Sequence, residues 1–298
     1  MPINKDLPDH PFLVDIKPGE TPMTKYVNGL DAVEVKLLHA PSLADLKSYI
    51  PEFTSGTWED KPKTSFTDEE REQVLKDLFA GYLLPTAMES IKLTFLVKGI
   101  DLSDVCHLIR HRTLSFSASG TGDRDMRHDD VLVKPSIANS KYLQRFHNLM
   151  KDAKQLYADM MDDTEMPILD PRTVMPRCTS NYYYFSGDLK AIMAFVGQRK
   201  DESIEPETMN IFAIKVWLEV CKLYPLLKDK IDLRSPDRFA IETSIGGRSS
   251  NFYRPEPKND IYDYRLSWFM RDQMRQEMRG GDQYIAIRDA LLAEFNYL

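Results

Sequence analysis

The chain has 298 residues, 42% hydrophobic and 29% charged, the balance of an ordinary globular protein long enough to bury a sizeable core. A formal net charge of -7 argues against a protein that coats nucleic acid, which would carry a basic surplus, but leaves a small anionic ligand open. No apolar run of about 18 residues is present to span a membrane. The amino terminus lacks the apolar centre of a signal peptide, and three scattered cysteines (Cys106, Cys178, Cys221) make neither a disulfide framework nor a zinc site, so the expected location is cytoplasmic.

Residues 1–30 are rich in Pro, Asp and Lys without periodicity and read as an extended arm. Val33 to Leu38 partly alternates and predicts a strand; the Pro-, Ser-, Thr- and Gly-containing stretch through Thr64 reads mostly as loop. Thr67-Asp68-Glu69-Glu70 is a capping box, in which the Thr hydroxyl and the Glu carboxylate each satisfy an orphan amide. It opens a helix with Val74, Leu75, Leu78 and Phe79 on one side. Ile91 to Val97 predicts a strand with Lys92 and Thr94 on a polar face, and Leu102 to Ser115 a helix. A small-residue loop, Ser117 to Gly122, precedes a long helix over about Ser140 to Met161. Its Leu143, Phe146, Leu149, Met150, Ala153, Leu156 and Met160 recur at spacings of three and four. Residues 180–186 predict a strand, 188–199 and 207–225 helices, 262–278 a basic-acidic helix, and 282–295 a last helix after a Gly280-Gly281 break. The sum is an α+β fold: a domain over residues 31–226 with a mixed sheet and long helices, followed by a mostly helical extension over 227–298.

The densest potential chemistry is Arg110-His111-Arg112, with Ser115 and then Asp123, Arg124, Arg127 and His128 beyond the small-residue loop. Guanidinium suits phosphate because its planar fork makes two parallel charge-assisted hydrogen bonds. Small neighbouring residues let backbone amides approach an anion. The plainer reading is a solvated basic patch paired with Asp123, Asp125, Asp129 and Asp130. Arg172 precedes Met175-Pro176, and Arg199 closes the helix that starts near Asp188, where a cation also complements the helix dipole.

The segment from Arg110 to Ser115 resembles the RHRxxS signature of the flavin-dependent thymidylate synthases. A second segment follows the family layout: Arg172 four residues before Pro176, the aromatic strand Tyr182-Tyr183-Tyr184-Phe185, then Asp188-Leu189-Lys190, Phe195 and Arg199. The resemblance covers about residues 31–226. It implies a homotetramer whose active sites form where subunits meet, with FAD as cofactor, methylenetetrahydrofolate as one-carbon donor and a pyrimidine deoxynucleotide as substrate. It implies that Arg199 stabilises the negative charge that develops across N3 and O4 when C5 of the base acts as a nucleophile. It further implies that Arg110, His111 and Arg112 contact FAD, with Arg110 also facing the nucleotide. His107 stands in the place of a nucleotide-binding Gln, Arg172 would bind the nucleotide, and Lys190 stands in the place of an FAD-binding Arg.

The chain departs from the family pattern in places that bear on chemistry. Tyr82 and Ser90 occupy positions where the family has histidines, and an insertion of two residues is needed for Arg124 to take the place of a phosphate-binding Arg. His107 for Gln changes the hydrogen-bond pattern offered to a base edge, where cytosine presents an amino donor and uracil a carbonyl acceptor. Thymidylate synthesis, dUMP hydroxymethylation and dCMP methylation or hydroxymethylation all remain open, as does a non-catalytic flavin- or nucleotide-binding relative. Cys178 could be a nucleophile if Arg172 or Arg177 lowered its pKa, although a lone Cys beside a strand more often packs in the interior. The histidines show no metal-ligand spacing.

Overall fold

The computed structural model of the chain describes residues 19–56, 61, 63, 65–118, 124–167, 169–200, 207–233 and 281–298. Four strands form an antiparallel sheet: β2 (Glu34–His39), β3 (Lys92–Ile100), β4 (Ser115–Ala118) and β6 (Asn181–Asp188), in the order β2-β3-β6-β4. The two central strands alternate cleanly. Leu93, Phe95, Val97, Tyr183 and Phe185 point inward and are buried, while Lys92, Lys98, Tyr182 and Tyr184 face outward. Parallel pairing is confined to a separate ribbon of β1 (Tyr26–Asn28) and β5 (Val131–Val133). The α+β class is therefore as the sequence predicts.

Register decides what the sheet packs against. Phe95 lies directly opposite Phe185, and their rings stack at 5.0 Å. Phe185 then meets Phe195 on α6 (Leu189–Arg199) and Phe212 on α7 (Glu207–Leu223), so both helices cover the inner face. Burying each such ring is worth roughly 1.5–3 kcal/mol. Gly99 sits at a register shift between β3 and β6 with φ +72, and a Cβ there would stand 1.8 Å from the carbonyl oxygen of Ala32.

Two sequence expectations about element bounds need correction. The stretch read as loop contains α1 (Leu43–Ser55), opened by a capping box of Ser42 and Asp45. Pro51 conceals this helix, because it cannot donate to the carbonyl of Lys47. Arg71 compensates: its Nη1 donates to the Lys47 oxygen at 2.8 Å while its other contacts clamp Glu52, tying α1 to α2 (Asp68–Ala80). The helix predicted to Ser115 stops as α3 (Leu102–Leu108), since Ser115 and Phe116 pair with Ser186 and Phe185 instead. Long-range pairing overrides local helical propensity there.

The long helix α5 (Leu143–Asp162) follows α4 (Pro135–Ala138) and buries Met150, Lys154, Tyr157 and Ala158. Its expected apolar stripe is split, for Leu149 and Leu156 lie on the exposed side. The last helix, α8 (Gly281–Phe295), sets Tyr284, Leu292 and Phe295 into the common core. The helix predicted over 262–278 lies outside the described residues. Among the described residues, no helix is long and apolar enough to cross a membrane.

Candidate functional site

Two chain segments with independent supports meet at one point. On one side, Asp188 caps α6, its Oδ1 accepting from the amide of Ala191 at 2.8 Å, and the amide of Leu189 donates to the carbonyl of Ile91 beside β3. Ile192, Met193, Phe195 and Val196 bury the inner side of α6, which carries Arg199 inward on its last turn. On the other side, Asp101 and Asp104 form a capping box that starts α3. Val105 and Leu108 bury one side of that helix, leaving His107 on its last turn and turning the chain back through His111. Gly187 keeps this turn close to β6, because a Cβ there would fall 2.4 Å from Cδ2 of Leu114.

Arg199 is 8% exposed, and its guanidinium is gripped by the second segment. Nε donates to Nε2 of His111 at 2.9 Å, and Nη2 donates to the carbonyl of His107 at 3.0 Å. Nη1 lies 3.4 Å from Nδ1 of His107. Since arginine only donates, Nε2 of His111 is the acceptor and carries no proton in this arrangement. The edge of the His111 ring meets Phe195 at 5.0 Å, an aromatic link from the site back to the sheet core. Beyond this buried contact, the exposed Arg110 and Arg112 line an open cavity of about 610 Å³ together with Cys106 and Ile109. The arrangement holds one buried guanidinium in fixed orientation beside two exposed ones, a combination able to orient a planar ring and hold a phosphorylated tail.

The other residues singled out from sequence stand on different elements. Arg124 makes a bidentate pair with Asp129 at 2.8 and 2.7 Å and lies over the ring of Tyr182 on the outer sheet face. Arg127 is 2% exposed and pairs with Asp125 and Asp162, so it is a structural cation. Arg172 is exposed on the short 3-10 turn Pro171–Val174, which packs against α5. Lys190 pairs with Glu89 at 2.7 Å on the first turn of α6, roughly 14 Å along the helix axis from Arg199. Tyr82 is exposed, following Gly81 in its left-handed helix-ending conformation, while Ser90 bonds to the carbonyl of Ala87 and the hydroxyl of Tyr49. Burial pushes the Cys178 thiol up to about 11, and its Sγ lies 3.2 Å from Sδ of Met150, an environment that disfavours the thiolate.

Sequence reasoning missed a polar layer behind the site. Asn210 and Thr208 are fully buried on α7. Thr208 donates to Oδ1 of Asp104 at 2.6 Å, and Lys134 reaches both groups, so the start of α3 is pinned to α7. The available signal was a polar pair, Thr208 and Asn210, just ahead of the apolar run Ile211 to Ile214.

Residues 47–226 match the family model described as thymidylate synthase complementing protein. A flavin-dependent thymidylate synthase of Nitratidesulfovibrio vulgaris (strain Hildenborough) is 26% identical over 169 residues, 54% of this chain and 64% of that protein. The chain thus spans just under two thirds of that relative. A flavin-dependent thymidylate synthase of Mycobacteroides abscessus is 24% identical over 189 residues, 58% of this chain and 72% of that protein. Among solved structures, the fold resembles the UMP/dUMP methylase PolB of Streptomyces cacaoi bound with 5-Br dUMP, at TM-score 0.53 and 18% identity, covering 68% of this chain and 94% of that one. With 5-Br UMP bound, the TM-score is 0.51 at 16% identity, covering 75% and 99%.

Proposed function

The chain belongs to the thymidylate synthase complementing protein family, the flavin-dependent thymidylate synthases, and from that premise we propose that it transfers a one-carbon unit from methylenetetrahydrofolate to C5 of a pyrimidine nucleotide. The observation that carries the reading is the contact of Arg199 with His111 and His107, two segments separated by 88 residues that share a buried point. C5 becomes a competent nucleophile when negative charge can spread over N3 and O4. A guanidinium already oriented by a ring nitrogen and a carbonyl stabilises that charge without reorganising during reaction.

The residues around this point fit FAD by the chemistry of their donors. Arg110 and Arg112 are exposed forks on the rim of one cavity, suited to a pyrophosphate, and Lys190 adds a cation on the first turn of α6. When bound, reduced flavin would supply hydride. Arg172 and Arg124 are proposed to hold the nucleotide phosphate, which requires Arg124 to exchange its bond to Asp129 for one to the ligand. Residues 31–226 form the catalytic unit in this reading, with 1–30 as an arm and 227–298 as an extension.

The substrate is dUMP or dCMP, and the product carries a methyl or a hydroxymethyl group. Tyr82 and Ser90, in place of two family histidines, favour the hydroxymethyl outcome, in which water adds to the exocyclic methylene in place of hydride. Mass spectrometry of the product decides. Reduced, FAD-loaded protein is incubated with isotopically labelled methylenetetrahydrofolate and dUMP, dCMP or UMP in turn. A labelled methyl or hydroxymethyl nucleotide supports the reading and fixes base and product. Bound FAD without any labelled product sinks it in favour of a non-catalytic flavin- and nucleotide-binding relative.

A homotetramer completes the proposal. Leu149 and Leu156 lie seven residues apart on the exposed side of α5, in step with Tyr142 at its N-cap, and the half-buried Phe146, Ala153 and Met160 alternate with them, the spacing of a helix-pairing seam. Sedimentation of wild type against Leu149→Glu/Leu156→Glu tests it. The variant is expected to shift the population toward monomer, and a monomeric wild type at micromolar concentration would remove this part of the proposal.

A further inference from the structure

The family match ends at residue 226, yet α8, beyond that limit, reaches the back of the site. Tyr284 is buried, and its hydroxyl donates to Oδ1 of Asn210 at 2.9 Å. Asn210 is itself fully buried on α7, and its Nδ2 donates to the carbonyl of Lys200 at 2.6 Å and faces that of Arg199 at 3.4 Å. Those carbonyls lie at the end of α6, and the last carbonyls of a helix have no partner within it, so a buried donor there has structural consequence.

An amide can point either of its ends at such carbonyls, and only the NH2 end can donate to them. With the NH2 end on these carbonyls the oxygen end needs a donor, and the Tyr284 hydroxyl supplies it, reinforcing that orientation. Other contacts hold the helix in register for this task. Lys222 pairs with Glu294 at 2.9 Å, and Nη2 of Arg288 donates to the carbonyl of Leu233 at 3.3 Å.

We propose that Tyr284 is a positioning residue for Arg199. By orienting the Asn210 amide it fixes the backbone at the end of α6, and with it the direction in which the Arg199 guanidinium points. The extension outside the family match is therefore part of the site's support. The inference rests on the charge-stabilising role assigned to Arg199 above.

The test uses the full chain loaded with FAD and compares wild type, Tyr284→Phe, Arg199→Lys, the double variant Tyr284→Phe/Arg199→Lys, and Leu292→Ala. Leu292 is buried on α8 away from the hydroxyl and controls for general loosening of the helix. Tyr284→Phe is expected to lower kcat roughly tenfold with KM for the nucleotide changed less than about twofold, since small misplacements of a catalytic group cost rate steeply. In the Arg199→Lys background the same substitution is expected to cost little further, the non-additivity of a coupled pair. Hydrogen exchange at the amide of Lys200, bonded to the carbonyl of Val196 at 2.9 Å, is expected to speed up in Tyr284→Phe. Leu292→Ala is expected to lower Tm with kcat unchanged.

An active wild type with Tyr284→Phe equal to it in kcat and in exchange at Lys200 overturns this inference and leaves the function standing. Equal losses of kcat from Tyr284→Phe in both Arg199 backgrounds, or a loss matched by Leu292→Ala, overturn it as well, since a structural role predicts both. A wild type that makes no product overturns the functional reading first, and this inference with it.

Discussion

Two arginine-bearing regions that look alike in sequence do opposite things in the fold. Arg110-His111-Arg112 converges on Arg199, while Arg124 and Arg127, a few residues on, lie among four aspartates. The difference is in the acceptors. Arg127 is bonded to the carboxylates of Asp125 and Asp162, and Arg124 to that of Asp129. These bonds fix a side chain and cancel its charge together. The bonds of Arg199 to the His111 ring and the His107 carbonyl fix the side chain and leave its charge in place. Arg127 is electrostatically spent on structure, whereas Arg199 keeps its positive field uncancelled. Lys154 extends the structural role: it is fully buried, and its Nζ donates to the carbonyl of Asp129, tying the aspartate-rich segment to α5.

Exchanging the roles of the two arginines would break this comparison most decisively. Arg199→Ala is expected to cost on the order of 10²–10³ in kcat, the usual effect of losing one preorganised charge-stabilising donor, with Tm held within a few degrees. Steady-state kinetics beside a thermal melt checks both halves. Arg127→Met should do the reverse, losing about 3 kcal/mol of stability by leaving two carboxylates without their partner, while the folded fraction keeps its turnover. Urea unfolding gives the first number and active-site titration the second. Full activity in Arg199→Ala, or an inactive but stable Arg127→Met, would reverse the assignment.

A smaller effect sharpens the same contrast through pH. The hydrogen bond from Arg127, aided by the amide of Gly19, holds the Asp162 carboxyl below the ordinary carboxylate range. A depressed folded-state pKa adds stability that is present above the unfolded value, near 4, and is lost as pH falls through the folded value. The stability gap between wild type and Asp162→Asn is therefore expected to be full at pH 7 and to shrink below about pH 4. A gap constant from pH 7 to pH 3 would show that the pair contributes nothing through ionisation.

What the sequence disclosed follows from which interactions are local. The Thr67 capping box and the period of α5 are legible because their partners lie within a few residues. The Ser42–Asp45 box is equally local, but Pro51 masks the helix it opens, and the compensating Arg71 lies 24 residues beyond the carbonyl it satisfies. Which side of α5 is buried could not be read, since both sides carry apolar residues and only the tertiary neighbours choose Met150 over Leu149. The site divides similarly. Arg110, His111, Arg112 and Arg199 stand out through a resemblance, while the bond joining the two segments is a product of the fold. Asn210 gave a faint signal as a polar residue in an apolar helix, but its partner Tyr284 lies 74 residues away on another element.

The smallest expected effect concerns Cys178, which the sequence leaves open as a nucleophile and the fold assigns to the structural region. Its sulfur lies against Met150 of α5, and the adjoining Leu132 amide donates to its carbonyl, so the residue belongs to the scaffold that also holds Arg127. Burial and the nearby Asp101 both raise its pKa, whereas attack on C6 of a pyrimidine would need the thiolate. Cys178→Ser is expected to leave kcat within about twofold and to cost about 1 kcal/mol through altered packing, in the ordinary range for a conservative interior change. Loss of turnover in a variant whose melt is unchanged would move Cys178 into the site. It would also show that a raised thiol pKa in the free enzyme is overcome when substrate binds.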